Sequence, residues 1–338
     1  MLSRASDIKI FLLFFTKKLR LSNPWNFKVP LLVSIPYLVF LLSGQSGSAF
    51  PAILASVMII TGVAGTGYLT NDLGDRHKDS LVQKENATAQ LSAPALVFLF
   101  LLFMLLAIAP WFYLPVNAIS ICLLALQFLL FYVYAFPPFR FKERGFLGVL
   151  ADAGYAHINP ALLAAYTFYL YTGRAAAGFD TFMFLLAAWQ LMLGCRNILF
   201  HQVKDHDKDI ESGTHTFVTG TGIAKTTALL KRMLLPLETA LFIAFAGFIT
   251  LYLPFFLPVI VLYWLFVTKQ FIKNIHAKSF RDYAYLYLDD LYIKWLPLIV
   301  LTGLVMQSVN FLPVLVLHFL IFRTDIKTFL LNRTRRLR

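Results

Sequence analysis

"PAILASVMIITGVAGTGYLTNDLGDRHKD", residues 51–79, runs from an apolar stretch straight into three aspartates. The apolar part is long enough to cross a bilayer. Acid at the mouth of such a helix is unfavourable unless a positive group meets it. A second stretch, "HQVKDHDKD" at 201–209, repeats the pattern: Asp75 and Asp79 are four apart, as are Asp205 and Asp209. Carboxylates four apart share one helix face. Asp72, three before Asp75, joins that stripe, whereas Arg76 and Asp207 fall off it. The repetition reads as an internal duplication of helix plus acidic loop.

The chain of 338 residues is 59% hydrophobic and 14% charged, with mean hydropathy +0.71. A soluble core needs no such excess, so the fold class is an all-α polytopic membrane protein. The net charge of +13 fits basic loops that set topology and touch anionic lipid, not nucleic acid. Cys122 and Cys195 lie in apolar runs without metal-ligand spacing and read as small hydrophobes. "IKIFLLFFTKKLR" at 8–20 lacks a small-residue cleavage site, so it reads as an interfacial segment rather than a signal peptide.

Apolar runs near 28–45, 50–70, 93–113, 117–136, 148–171, 180–200, 226–250, 252–269, 291–306 and 309–323 predict a bundle of nine or ten transmembrane helices. Residues 1–27 form the interfacial N-terminal segment, 324–338 a basic tail, and the whole chain one domain. Lys and Arg concentrate in alternate loops, at 71–92, 137–147, 202–225 and 270–290. These loops are therefore cytoplasmic. Both acidic stretches lie on that side, as a polar cap over a central cavity. A basic C-terminus on the same face favours ten spans, an even number.

Opposed carboxylate faces repel strongly unless cations sit between them. Oxygen-only ligands on two segments suit Mg²⁺, which keeps waters and bridges to phosphate. Asp72, Asp75, Asp79, Asp205 and Asp209 are the candidate metal ligands and catalytic residues, and Asn71 adds a neutral oxygen and a donor.

These residues resemble the UbiA superfamily of intramembrane prenyltransferases, whose NDxxDxxxD motif matches "NDLGDRHKD" and whose DxxxD motif matches "DHDKD". "SGTHTF" at 212–217 is similar to the family's continuation of the second motif. "YAFPPFRFKERGFLG" at 134–148 resembles its Tyr-Pro-Pro-Arg-Lys segment. In "SNPWNFK" at 22–28 Asn23 replaces a family Arg. In "VQKENATAQLS" at 82–92 Lys84 and Asn86 match, but Ala87 and Thr88 replace Arg-Pro. The family's usual nine spans conflict with the even count that charge favours.

The resemblance implies a bundle whose polar cap binds Mg²⁺ and the diphosphate of an isoprenoid, while an apolar wall open to membrane lipid takes the tail. The expected reaction is transfer of the isoprenoid chain from a prenyl diphosphate to a small lipophilic or aromatic acceptor, such as a quinone precursor. The enzyme would sit in the inner or plasma membrane with its active site toward the cytoplasm. Lys84, Arg140, Lys142 and Arg144 are candidate diphosphate contacts. Tyr134, beside Tyr132, is placed to shield an allylic cation. Asp152 and His157 are candidates for the acceptor, and Arg196 for phosphate or for pairing with Asp205 or Asp209. A class I terpene cyclase would use the same acidic pair without an acceptor. A transporter would place its polar groups at mid-bilayer instead.

Overall fold

The computed structural model describes residues 22–47, 49–273 and 280–322. The apolar runs fold as helices: α1 Ser22–Ser43, α2 Ala49–Leu81, α3 Ala93–Phe112 and α4 Ala118–Ala135. Helix α5 joins Phe146–Ala153, a π-turn Gly154–Ile158 and Asn159–Tyr171. Helix α6 is Phe179–Glu211, α7 Ile223–Thr250 and α8 Phe256–Lys273. Helix α9 joins Phe280–Ala284, π-turns Tyr285–Asp289 and Leu291–Trp295, and Leu296–Gln307, and α10 is Val309–Phe322.

Helices α2, α3, α4, α6 and α7 are each long and apolar enough to cross a membrane; Lys28–Ser43, Phe256–Lys269 and Val309–Phe322 are shorter apolar helices. Placement in the bundle follows apolarity. The apolar window of α2 is 67% buried, against 22% for α3 and 28% for α4. So α2 is central, and α3 and α4 turn Phe98, Leu101, Leu105 and Leu129 outward. In a membrane protein those faces meet lipid.

Three sequence expectations change. Both acidic stretches are helical, because α2 and α6 continue past their apolar parts to Leu81 and Glu211; the loops begin only there. The 270–290 segment is not all loop, since α9 starts at Phe280. Helix α1 starts at Ser22, inside the segment expected to be interfacial. The rest of that segment, and the 324–338 tail, lie outside the described residues.

Close helix contact explains α2 and α3. A Cβ on Gly62 would lie 2.3 Å from the Ala107 nitrogen and 2.5 Å from the Phe103 carbonyl oxygen. Only glycine allows that approach. On the other side, Trp189 of α6 packs on Phe242 and Phe245 of α7 and Tyr292 of α9, at ring separations of 5.1, 5.0 and 4.9 Å. Beside this cluster, fully buried Arg196 is gripped twice. Its Nε and Nη2 donate to Glu238 of α7 at 2.6 and 3.0 Å, and Nη2 and Nη1 donate to Asp289 of α9 at 2.6 and 3.2 Å. Asp205 and Asp209 are not its partners. The sequence reading missed Glu238, alone in its apolar run, and Asp289, which stands beside Asp290 in the 270–290 segment.

Removing one member of a buried pair strands the others. Arg196→Ala is expected to destabilise the bundle by about 3–5 kcal/mol, read as a lowered Tm in detergent. An Arg196→Met/Glu238→Leu/Asp289→Asn triple variant should recover a large part of that loss. Equal Tm for Arg196→Ala and the parent would show that the pair does not hold α6, α7 and α9 together.

Candidate functional site

The C-terminal ends of α2 and α6 face one another across a cavity of about 140 Å³. Helical spacing puts Asn71, Asp75 and Asp79 of α2, and His201, Asp205 and Asp209 of α6, on its walls. Lys84 and Lys142 complete the rim from the loops after α2 and α4. Ser212, Thr214 and Thr216 close it after α6. Gly74 lets α2 reach the end of α4, because a Cβ there would meet the Ala135 carbonyl oxygen at 2.8 Å. Lys78 ties α2 to both loops, by an ion pair with Glu143 at 2.8 Å and a hydrogen bond to the Gly213 carbonyl at 3.0 Å. Lys78 is half-buried in this latch.

Two ammonium groups stand among the carboxylates. Lys84 Nζ lies 3.7 Å from Asp79 Oδ1 and 3.9 Å from Asp205 Oδ2, bridging the two acidic helices. Lys142 pairs with Asp75. Asn86 donates its Nδ2 to Asp79 Oδ2 at 2.9 Å and to the Asp72 carbonyl at 2.7 Å, fixing the loop that carries Lys84. The donors are all oxygen, which suits a hard divalent cation. Among the described residues no group of three or more His, Cys, Asp or Glu is gathered closely enough to hold a metal ion without rearrangement.

Burial and then the Asp205 charge push the Asp209 carboxyl up to about 6, against Lys84, Thr216 and Lys142. Burial pushes Lys142 down to about 8, against the pull of Glu143, Asp209 and Asp72. The signs agree. Asp209 contributes stability below its ordinary carboxyl range, lost as pH rises through about 6. Lys142 contributes stability above its ordinary range, lost as pH falls through about 8. Near pH 7 both are charged and both oppose the ligand-free fold. An added dication and a polyanion would relieve each.

The remaining sequence candidates divide. Tyr134 lines the cavity, with its ring 4.8 Å from Tyr155. Asp72 is buried (8% exposed) and is not among the cavity-lining residues. Arg140 donates to the carbonyls of Gly74 and Ala135 at 2.8 and 3.1 Å and pairs with Glu143 at 2.5 Å and Asp75 at 3.4 Å. It holds the loop and does not line the cavity. Arg144 is bonded to the Pro138 carbonyl at 2.7 Å, outside the cavity. Tyr132 is exposed. Asp152 accepts from the Tyr155 hydroxyl at 2.6 Å, and His157 lies deeper, in the π-turn of α5.

Asn71 also belongs to a second cavity of about 160 Å³. This one is mostly apolar and follows α2 from Asn71 to Ser56 and α5 from Tyr155 to Phe168. Fifteen helical residues correspond to about 22 Å. Tyr68, Tyr155 and Phe131 ring its mouth, and Lys28 of α1 reaches its wall. Tyr68 and Lys28 were legible as polar residues at helix ends, but no motif marked them.

An integral membrane helical bundle with paired acidic helix ends over an apolar cavity defines a class of proteins built to handle an anionic head on a lipid tail. Residues 32–288 match the family model of the UbiA prenyltransferase family, and the chain belongs to that family. Among solved structures it is similar to a UbiA homolog from Archaeoglobus fulgidus bound to DMAPP and Mg²⁺, at 15% identity and TM-score 0.48, over 89% of this chain and 99% of that one. The same homolog bound to GPP and Mg²⁺ matches at 16% identity and TM-score 0.45, over 91% and 99%. No curated protein matches the chain.

The Asp209 shift can be read directly. In the metal-free protein, an infrared carboxylic-acid band should grow as pH falls through about 6, and Asp209→Asn should remove it. A band appearing only at the pH of an ordinary carboxyl would show that Asp205 and burial do not perturb this group.

Proposed function

We propose that this protein is a Mg²⁺-dependent prenyltransferase that moves an isoprenoid chain from a prenyl diphosphate to a small aromatic or quinone-precursor acceptor, releasing diphosphate. The observation that carries the reading is the pair of acidic helix faces with Lys84 and Lys142 between them, directly above an apolar cavity. The family and the two matched motifs support it. The nine- or ten-span topology, the cytoplasmic site and an inner or plasma membrane location belong to the same proposal, supported by the loop charges.

Asp75, Asp79, Asp205 and Asp209 would hold the metal, with Asp72 behind them as buried charge. Bound there, Mg²⁺ would supply charge neutralisation to the departing diphosphate. Lys84 and Lys142 would turn from their carboxylates to phosphate oxygens as the substrate arrives, and Asn71 would donate from the junction of the two cavities. Tyr68, Tyr134, Tyr155 and Phe131 present aromatic faces where the allylic carbon would lie. Such faces stabilise a developing cation and exclude water. Arg140 would act by positioning the Lys142 loop. Asp152, through Tyr155, would orient that aromatic layer rather than touch the acceptor.

Asp75→Ala and Asp205→Ala should each lower turnover by roughly 100-fold or more while the protein still folds, the size seen when one preorganised electrostatic contact is lost. Lys142→Met should raise KM for the prenyl diphosphate, whereas Arg144→Ala should stay within about 2-fold of the parent, as expected for an exposed side chain outside the cavity. Purified protein given Mg²⁺ and a radiolabelled prenyl diphosphate series, with and without membrane lipid extract, tests the reaction. Product that needs the extract supports transfer. A cyclised hydrocarbon formed without it would establish the cyclase, and full activity of the aspartate variants would sink the metal assignment.

A further inference from the structure

Glu143 is an acidic residue at the polar end of the bundle that does not line the chamber between α2 and α6. It follows Lys142 in a single short turn, Phe141–Glu143, and is half-buried. One oxygen, Oε1, serves two cations: it accepts from Arg140 Nε at 2.5 Å and lies 2.8 Å from Lys78 Nζ. Burial opposes the Glu143 charge, but the hydrogen bonds from Lys78 and Arg140 outweigh it and hold the carboxyl below its ordinary range.

The turn has little to hold it from within. It is flanked by left-handed backbone, with φ +39° at Arg140 and +54° at Gly145. A non-glycine residue persists in that region only where its surroundings hold it. Arg140 is held by the Gly74 and Ala135 carbonyls, by Asp75 and by Glu143. Lys142 sits between the two flanking residues, with its ammonium on Asp75. Where that ammonium stands over the chamber therefore depends on where the turn stands.

The same turn is tied to the loop after α6. Lys78 donates to the Gly213 carbonyl at 3.0 Å, and Gly145 pairs with Thr216 as an isolated backbone bridge. Thr216 in turn hydrogen-bonds the Asp209 side chain. Contacts thus run from Asp75 through Lys142, Glu143 and Lys78 to the loop over Asp209. They form a strap across both acidic helices, and Glu143 is its middle link.

We propose that Glu143 is a positioning residue for the substrate's diphosphate: by holding Lys78 and Arg140 together, it fixes the turn that presents the Lys142 ammonium to the phosphate oxygens. Glu143 itself touches no substrate, since its carboxylate lies outside the chamber and is engaged by two cations. The inference rests on the prenyl diphosphate reading and holds for transfer and cyclisation alike.

Calorimetric titration of the full chain in detergent, with inorganic diphosphate and Mg²⁺, tests it. Glu143→Ala should weaken binding roughly tenfold, the size of one coupling lost from a charged network. In a Lys142→Met background the same substitution should weaken binding by no more than about 2-fold, because the group through which it acts is gone. Glu143→Gln keeps the size of the side chain and removes its charge, and it carries the same cycle should the alanine variant not fold. A loss that persists in full in the Lys142→Met background overturns the proposal and leaves Glu143 a structural brace only. Unchanged binding in the Glu143 variants overturns it as well. Absent diphosphate binding in the parent is a distinct result, which sinks the underlying reading and the proposal with it.

Discussion

The structure depends on like charge held face to face. Asp75 and Asp79 on α2 look across about 140 Å³ at Asp205 and Asp209 on α6, at the rim of an apolar bundle where water screens poorly. Everything around them limits that repulsion without removing it. Lys84 reaches between the helices, Lys142 pairs with Asp75, and Asn86 fixes Asp79. Burial and then the Asp205 charge raise the Asp209 carboxyl, and burial lowers the Lys142 ammonium against the pull of the carboxylates around it. The bundle holds its α6 side rigid through Arg196 and its α2 side close through Gly62 and Gly74. Neither acidic face can retreat from the other.

That constraint orders the interior. A polar chamber, an apolar one and a small polar cell follow one another, joined at Asn71 and again at Lys28. A diphosphate head followed by an isoprenoid tail has the order of polarity of the first two. The aromatic layer of Tyr68, Tyr134 and Tyr155 lies at the first junction. That is where a carbon leaving its phosphate would be most exposed to water.

Much of this was legible in the chain. Apolar runs located the helices because lipid permits few alternatives. The spacing of Asp75 with Asp79, and of Asp205 with Asp209, put each pair on one face once those segments proved helical. The failures have physical causes. Hydropathy cannot see that α2 and α6 continue beyond the apolar core, since a helix end supported by tertiary contacts needs no apolar sequence. Asp72 fits the stripe by spacing, but it is buried and does not line the cavity. Glu238 lies alone in an apolar run and Asp289 beside Asp290, and only the fold shows that they share Arg196. Positive charge in the 137–147 loop could not distinguish Lys142, which lines the cavity, from Arg140 and Arg144, which hold backbone carbonyls.

A polar residue inside a membrane protein can be structural or functional, and completeness of partnering separates the two here. Arg196 is fully buried, yet two carboxylates grip it from both sides. A complete set of partners leaves nothing for a ligand to satisfy, so its role ends with the fold. Lys84 sits at 3.7 and 3.9 Å from two carboxylates, too far for a direct hydrogen bond to either. A group of this second kind weakens the ligand-free protein, and it stands where a phosphate would complete it. Depth alone would rank Arg196 and Glu238 above the cavity walls. Unmet bonding capacity ranks the cavity walls first.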